Sequence, residues 1–206
     1  MIKPEIICIG AGGHAHSCID VIEQQGQYKI AGLIGLPDEA NARLLKYSVI
    51  GKDDDLNKFV NIYKNALITV GQIKNADQRA ILYELALKTG FIMPVIVSPF
   101  AHISSYANIG NGSIVMHGSI VNADVNIGNN CIVNSRALIE HNSLIGDHCH
   151  ISTGAIVNGN VNVGSRTFIG SGSILKEGIS VGKNCVIGMG VILRHNLPDY
   201  SLFTGL

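Results

Sequence analysis

The sequence predicts an α/β plus β-helix chain: a small Rossmann-like α/β domain over residues 1–96, then a parallel β-helix of hexapeptide repeats over residues 97–206. Three observations predict it. From Val97 to Pro198 the chain divides into seventeen consecutive hexads without one insertion, and the first position of each is aliphatic. That is the signature of a hexapeptide β-helix. Gly110, Gly128, Gly146, Gly164 and Gly182 recur every eighteen residues, so three hexads close one coil. Residues 1–96 hold ten of the fifteen basic and ten of the fifteen acidic residues and alternate strand-like with helix-like segments. Such alternation implies a small parallel sheet covered by helices.

In the first part, Glu5–Ile9 reads as a short apolar strand and Gly10-Ala11-Gly12-Gly13-His14 as a glycine loop. Ala15–Gln25 has helical apolar spacing at Cys18, Ile19, Val21 and Ile22 and stops at Gly26. Lys29–Ile34 is a second strand. Asp53–Val60 is a short helix whose first-turn acids suit the positive end of its dipole. Leu67–Val70 is a strand, Ala76–Lys88 a helix and Phe91–Ile96 a last strand, with the domain boundary near Pro94–Val97.

In the second part, the first residue of each hexad points into a narrow core. The fifth, also inward, is mostly small: Ala101, Ala107, Ser113, Ser119, Cys131, Ala137, Ser143, Cys149, Ala155. Coils stack about 4.8 Å apart, so nearly six coils make a prism roughly 27 Å tall. The glycine column is expected where the backbone takes positive φ. Asn108, Asn126 and Asn162 are expected at corners for the same tolerance. Cys131 and Cys149 should be vertical neighbours inside the prism, as small polarisable core residues.

Composition narrows the function. With 47% hydrophobic and 15% charged residues, the composition argues against a disordered chain. Lys+Arg and Asp+Glu are both 15, which argues against a nucleic-acid binder that works by phosphate neutralisation. The absence of Trp argues against a base-stacking platform. The opening apolar run is too short for a signal segment, and no stretch approaches the ~20 apolar residues of a membrane span. Five cysteines without a CxxC pair read as reduced thiols of a cytoplasmic protein.

The glycine loop fits G-x-G-x-x-A between a strand and a helix. Glycines let backbone amides reach a phosphate, and the helix N-terminus adds favourable potential. The acid expected after the second strand is missing from Ala31-Gly32-Leu33-Ile34-Gly35, and Asp38 and Glu39 lie beyond Pro37. The loop therefore reads as a phosphate or nucleotide-diphosphate contact, or as a structural turn, rather than as an NAD site. His148-x-His150 has the spacing of a metal pair, but no third ligand follows by spacing, and no metal is expected.

A domain opening with GAGGHA and followed by a β-helix resembles the PglD/NeuD family of bacterial sugar acetyltransferases. Asn134-Ser135-Arg136-Ala137-Leu138-Ile139-Glu140-His141 looks like that family's N-T-R/S-x-x-I-E-H run. Val163–Ser171 and Val49-Ile50-Gly51 before Asp53-Asp54-Asp55-Leu56 look familial too, and the closest likeness is to sialic-acid-type NeuD members. The resemblance implies a left-handed coil, a homotrimer, acetyl-CoA as acyl donor lying between two subunits, and a sugar or nucleotide-sugar acceptor. It also implies site residues. His141 takes the place of the general base, a role for which an imidazole suits neutral pH. Asn142 stands where the family carries an acid, with Glu140 adjacent. The Gly159 N–H matches the group that steadies the oxyanion. His150 matches a second histidine near the acetyl group, or is a plain corner residue. Ser171 and Met189 match the path of the pantetheine arm. Asn134 matches a contact to the acceptor sugar, and Gly10, Gly12, Gly13 and His14 match contacts to the nucleotide-sugar.

The missing acids at positions 35 and 142 leave a second reading open: a non-catalytic trimeric binding or scaffold protein with a decayed site. A carbonic anhydrase-like metalloenzyme would need three zinc-binding histidines. A nucleotidyltransferase would need a much larger domain ahead of the β-helix.

Overall fold

The computed structural model describes residues 2–36 and 42–205; Asp38 and Glu39 lie outside them. The first part runs β1 (Glu5–Ile9), α1 (Gly13–Gln25), β2 (Lys29–Ile34), β3 (Arg43–Leu44), β4 (Tyr47–Gly51), a 3-10 turn at Asp53–Asp55 leading into α2 (Leu56–Phe59), β5 (Asn65–Ile68) and α3 (Asp77–Thr89). The sheet order is β3-β4-β2-β1-β5. Only the β3–β4 pair is antiparallel.

Several boundaries differ from the sequence reading. β3 and β4 form a hairpin that the periodicity does not announce; Leu45 between them takes a φ of 54°. α1 begins two residues early because Gly12, extended at φ −79°, N-caps it without using a side chain. The expected last strand at Phe91–Ile96 reduces to a bridge between Ile92 and Asn65. Pro94 carries no N–H for a ladder, and Ile96–Val97 leaves to pair with Ile114–Val115 in the prism.

From Ile96 onward, two-residue strands stack in three parallel sheets, the faces of a left-handed β-helix. The first face starts at Ile96–Val97 and has seven strands. The second starts at His102–Ile103 and has six, and the third starts at Asn108–Ile109 and has five. Through the hexads pairing runs i to i+18, as in Ile120 with Leu138 and Asn126 with Leu144, so three hexads make one coil. The final coil is shorter: Val186 pairs with Leu202, sixteen residues on.

The glycine column has a different cause from the one expected. None of its five members has positive φ. A Cβ at Gly110, Gly146 or Gly164 would instead lie 2.5–2.6 Å from the backbone of the next coil. The left-handed positions are the fourth of each hexad, from Gly112 to Gly190 without a break, with φ between 53° and 73°. Asn130, Asn142, Asn160 and Asn184 are among them. Asn108, Asn126 and Asn162 are not: they stand on strands of the third face, where the Asn108 amide donates to Asn126 Oδ1 at 3.0 Å.

The fifth positions do more than fit. Ser113, Ser143 and Thr167 donate to corner carbonyls fifteen residues ahead at 2.8–2.9 Å, and the thiols of Cys131 and Cys149 do the same at 3.1 and 3.2 Å. Corner carbonyls turned partly away from water need such donors. All five cysteines are free and buried.

The two parts share one core. Ala15, Cys18, Ile19 and Ile22 of α1 pack with Ile96, Ile114, Met116 and Ile132 on the outside of the first face. Arg79 of α3 is fully buried there. Its guanidinium donates to the carbonyls of Ile68 and Val70 at 2.7 and 2.8 Å and to that of Asn130 at 3.2 Å, tying the end of β5 to the prism. Nearby, Ser98, His117 and Asp20 form a relay, at 2.6 Å from Ser98 Oγ to Nδ1 and 2.8 Å from Nε2 to Asp20. Ser98 is buried and accepts the Phe100 N–H, so the relay joins α1 to the prism.

Candidate functional site

The candidate residues fall on three parts of the molecule. His141, Asn142, Glu140 and Gly159 share the corner between the second and third faces. Ser171 and Met189 lie on the corner between the first and second. Gly10, Gly12, Gly13, His14, Asn134 and His150 gather where the first face meets the Rossmann-like domain.

On the first corner, the His141 ring is exposed and lies against Gly159 one coil on. A Cβ at 159 would come 2.8 Å from His141 Cε1 and 2.9 Å from Nε2, so only glycine leaves the ring where it is. His141 Nδ1 is 2.8 Å from Asn142 Oδ1. An amide oxygen only accepts, so Nδ1 carries the proton and Nε2 keeps its lone pair. Asn142 can sit so because its φ of 60° turns it back beside the ring. Glu140 is turned away: it accepts from the Asn122 amide at 2.9 Å and makes no bond to His141. Among the described residues nothing accepts the Gly159 N–H, which is thus available to an outside oxygen. The corner combines a free imidazole nitrogen, an amide that fixes its tautomer, and a free backbone donor.

On the second corner, Ser171 Oγ is 2.9 Å from Ser152 Oγ. Met189 is 83% exposed at the rim of a hollow of about 450 Å³ that Val191, Arg194, His195 and Phe203 also line.

The third group surrounds the carboxyl ends of the parallel strands, where open α/β sheets bind ligands. A cleft of about 200 Å³ there is lined by Gly10, Gly12, Gly13, His14, Asp53, Thr69, Gln78 and Leu82 among others. Gly10 is required by the protein itself: its φ is 117°, and a Cβ would meet Val70 at 2.6 Å. Gly12 and Gly13 face open space, with nothing within 4 Å of an added Cβ. The first turn of α1 carries neither a capping side chain nor an acid. The Ala15 N–H donates to the Gly12 carbonyl at 3.0 Å, while among the described residues nothing accepts the N–H groups of Gly13 and His14, which are open to an anion. Sequence reasoning misses Asp53, Thr69 and Gln78 as site residues. The signal for them is the rule that ligands lie beyond strand ends, applied to β4 and β5.

His150 is neither a corner residue nor exposed. It sits on a strand of the first face, 6% exposed, with Nδ1 donating to the Gln72 carbonyl at 2.6 Å and Nε2 accepting from the Asn134 amide at 3.1 Å. Burial holds its pKa down at about 4, and that of His14, 6.4 Å away between ring centroids, at about 3. Both rings are neutral at pH 7. His148 turns the other way, edge-on to Tyr83 with Nδ1 near the Asn130 amide, so it makes no pair with His150. Among the described residues, no three His, Cys, Asp or Glu side chains gather as metal ligands.

Comparison with known proteins bears on these sites. The family model of the PglD N-terminal domain matches residues 5–84, and that of the hexapeptide repeat of succinyl-transferase matches residues 160–194. A comparison with curated sequences finds no match. Among solved structures, the chain is similar to an asparagine-for-histidine mutant of perosamine N-acetyltransferase from Caulobacter crescentus in complex with CoA and GDP-perosamine. Identity is 28% over 98% of this chain and 93% of that one, with a TM-score of 0.91. It is similar to the acetyltransferase domain of PglB from Neisseria gonorrhoeae FA1090 in complex with acetyl coenzyme A, at 29% identity over 98% and 96% of the two chains and a TM-score of 0.89. WeeI from Acinetobacter baumannii AYE shares the fold at 22% identity over 96% and 95%, with a TM-score of 0.84.

Proposed function

Because the chain belongs to the PglD/NeuD-type family of sugar acetyltransferases, we propose that it moves the acetyl group of acetyl-CoA onto the amino group of a nucleotide-linked sugar, with His141 as general base. The observation that carries this reading is the corner itself: a tautomer-fixed imidazole with a free Nε2, packed on a glycine whose N–H has no other acceptor among the described residues. The acceptor nitrogen attacks the thioester carbonyl carbon while Nε2 takes its proton. The carbonyl oxygen becomes an oxyanion that accepts from the Gly159 N–H. Collapse breaks the C–S bond, and the coenzyme leaves as a thiol with the proton returned from His141.

Asn142 favours an amine acceptor. It orients the ring without adding negative charge beside the imidazolium, so the base has less help than a histidine–carboxylate pair gives. An amine, nucleophilic without prior loss of its proton, needs less help than the hydroxyl of a sialic-acid-type sugar. In this reading residues 1–96 hold the acceptor, with the diphosphate at Gly10, Gly12, Gly13 and His14 and the sugar near Asn134. Residues 97–206 hold acetyl-CoA, with its pantetheine arm along Ser171 and Met189 and His150 behind the acetyl group.

The working form is a homotrimer. The outside of the second face carries a stacked aliphatic column, Ile120, Leu138, Ile156, Ile174 and Ile192, with Ile120 and Ile192 40% and 49% exposed. A water-facing side of a β-helix is expected to be polar there, as Asn108, Asn126, Asn162 and Ser180 make most of the third face. The base corner and the coenzyme corner flank this column, so copies joined through it bring one subunit's His141 to another's Ser171. Five buried thiols without a disulfide fit a reducing compartment such as the cytoplasm. No described helix is long and apolar enough to cross a membrane.

The test is thiol release from acetyl-CoA by the wild type and His141→Ala, with nucleotide-linked amino sugars and sialic-type sugars as acceptors. Amino-sugar-dependent release that the substitution abolishes is expected. Equal background release by both proteins with every acceptor would sink the enzyme reading in favour of a non-catalytic scaffold.

A further inference from the structure

Among the described residues, Asp53 is the one acid of Asp53-Asp54-Asp55 without a donor. Asp54 pairs with Lys52 at 3.0 Å; Asp55 pairs with Lys58 at 2.8 Å and accepts the Lys52 N–H at 3.2 Å. Asp53 has no such bond, although it lines the cleft of the glycine loop and is partly buried. Burial first, and Asp54 second, push its carboxyl above the ordinary value. A partly desolvated carboxylate with no protein donor fits a site whose donor comes with the ligand.

Its place in the sheet says which part of a ligand it meets. The glycine loop follows β1, and Asp53 follows β4, two strands away across β2. At about 4.8 Å per strand the separation is about 10 Å. A nucleotide with its phosphates at the N-terminus of α1 spans that distance with its ribose over the end of β2 and its base at Asp53. Among the described residues, Gly35 and Leu36 past β2 carry no acid to hold a ribose, and Leu36 and Leu82 offer apolar walls for a flat ring.

A carboxylate reads bases unequally. Guanine presents two adjacent donors, N1–H and the 2-amino group, which match both carboxylate oxygens as a fork. Uracil presents one N–H between two carbonyls, which a carboxylate repels. Adenine sets an acceptor beside its amino group. Resting on the nucleotide-sugar reading above, we infer that Asp53 reads the nucleobase and that the acceptor sugar is carried on guanosine diphosphate.

The experiment measures dissociation constants of GDP, IDP and UDP for the full-length wild type and for Asp53→Asn. IDP is GDP without the 2-amino group, so the wild-type series tests base reading with no substitution at all. GDP is expected to bind at least about tenfold tighter than IDP or UDP, as a bidentate base contact gives. Asp53→Asn should weaken GDP by a similar factor and move UDP by less than about threefold. Equal wild-type affinities for the three nucleotides overturn the inference while leaving the nucleotide-sugar reading intact. So does a variant that weakens GDP and UDP alike, which would put Asp53 on the ribose. A wild type that binds none of the three overturns the nucleotide-sugar reading, and this inference with it.

Discussion

Gly159→Ala isolates the geometry of the proposed base from its chemistry. The added methyl would sit 2.8 Å from His141 Cε1 and 2.9 Å from Nε2. Ordinary carbon contacts are about 3.5–4.0 Å, so the ring must withdraw by about 0.7 Å or more. That shift stretches the 2.8 Å bond to Asn142 that fixes the tautomer, and it carries Nε2 off the line to the acceptor nitrogen. A misplacement approaching 1 Å costs about 10²-fold in rate, or about 2.7 kcal/mol of barrier. Folding should be unaffected within about 0.5 kcal/mol, because His141 is exposed and Gly159 is outside the left-handed region. The assay pairs kcat for acceptor-dependent thiol release with a thermal melt. A variant that keeps kcat within about threefold of wild type would refute the stacking of His141 on Gly159 as a catalytic requirement. A rate loss matched by a large fall in Tm would move the explanation to folding.

Four further outcomes are expected. Asn142→Ala frees the ring to rotate and should lower kcat about tenfold or more without moving the KM for the coenzyme, whereas Asn142→Asp should keep kcat at or above wild type; initial-rate kinetics distinguish them. Arg79→Ala removes three hydrogen bonds and leaves the carbonyls of Ile68, Val70 and Asn130 without this donor in the interior, so urea titration should show a loss of about 3–5 kcal/mol. Stability should fall in mild acid: His150 titrates near 6.5 when unfolded and at about 4 when folded, with burial as the main cause, so the unfolded chain binds more protons as pH drops from 6.5 towards 4. That removes on the order of 3 kcal/mol across this window, and His150→Gln should flatten the slope in urea unfolding between about pH 5 and 7. Ile156→Asp, in the column on the second face, should convert the proposed trimer to smaller species by sedimentation and abolish the proposed acetyl transfer.

The β-helix is legible because each of its residues answers to a periodic constraint. Aliphatic first positions and small fifth positions follow from a core three strands wide, and the eighteen-residue glycine spacing marks the coil. What spacing does not carry is the cause. A column of glycines reads the same whether φ or a neighbouring coil demands it, and only the 2.5–2.6 Å approaches to the next backbone decide. Likewise Cys131 and Cys149 look like filler, and their bonds to the Gly146 and Gly164 carbonyls depend on a partner fifteen residues away. The small domain is less legible. β3 is two residues long at the sheet edge, so its hairpin with β4 leaves no periodic signal, and Pro94 and the pull of the first rung end the final strand. At the site, the motif around His141 points to the histidine, but not to the grip of Asn142 or the turn of Glu140 towards Asn122. Asp53 reads as a helix-start acid, because its neighbours' pairing with Lys52 and Lys58 is invisible in the run DDD.

The three-sided coil explains why one chain does not complete the proposed site. Corners on a β-helix are fixed by hexad phase: residues six apart occupy successive corners, and residues eighteen apart the same one. His141 and Gly159 differ by eighteen and so must meet. Ser171 is thirty from His141, five hexads on, and therefore on another corner whatever the side chains do. The Rossmann-like domain covers the first face, opposite the corner that carries His141. No rotamer or loop movement brings these groups together, since the phase is built into the backbone pairing of every coil. A second copy can. Its first–second corner, with the cleft domain alongside, can lie against the first copy's second–third corner when the aliphatic columns of the second faces close on one another. The same column that would be a liability on a monomer would, in the proposed trimer, become the element that assembles base, thioester and acceptor from different chains.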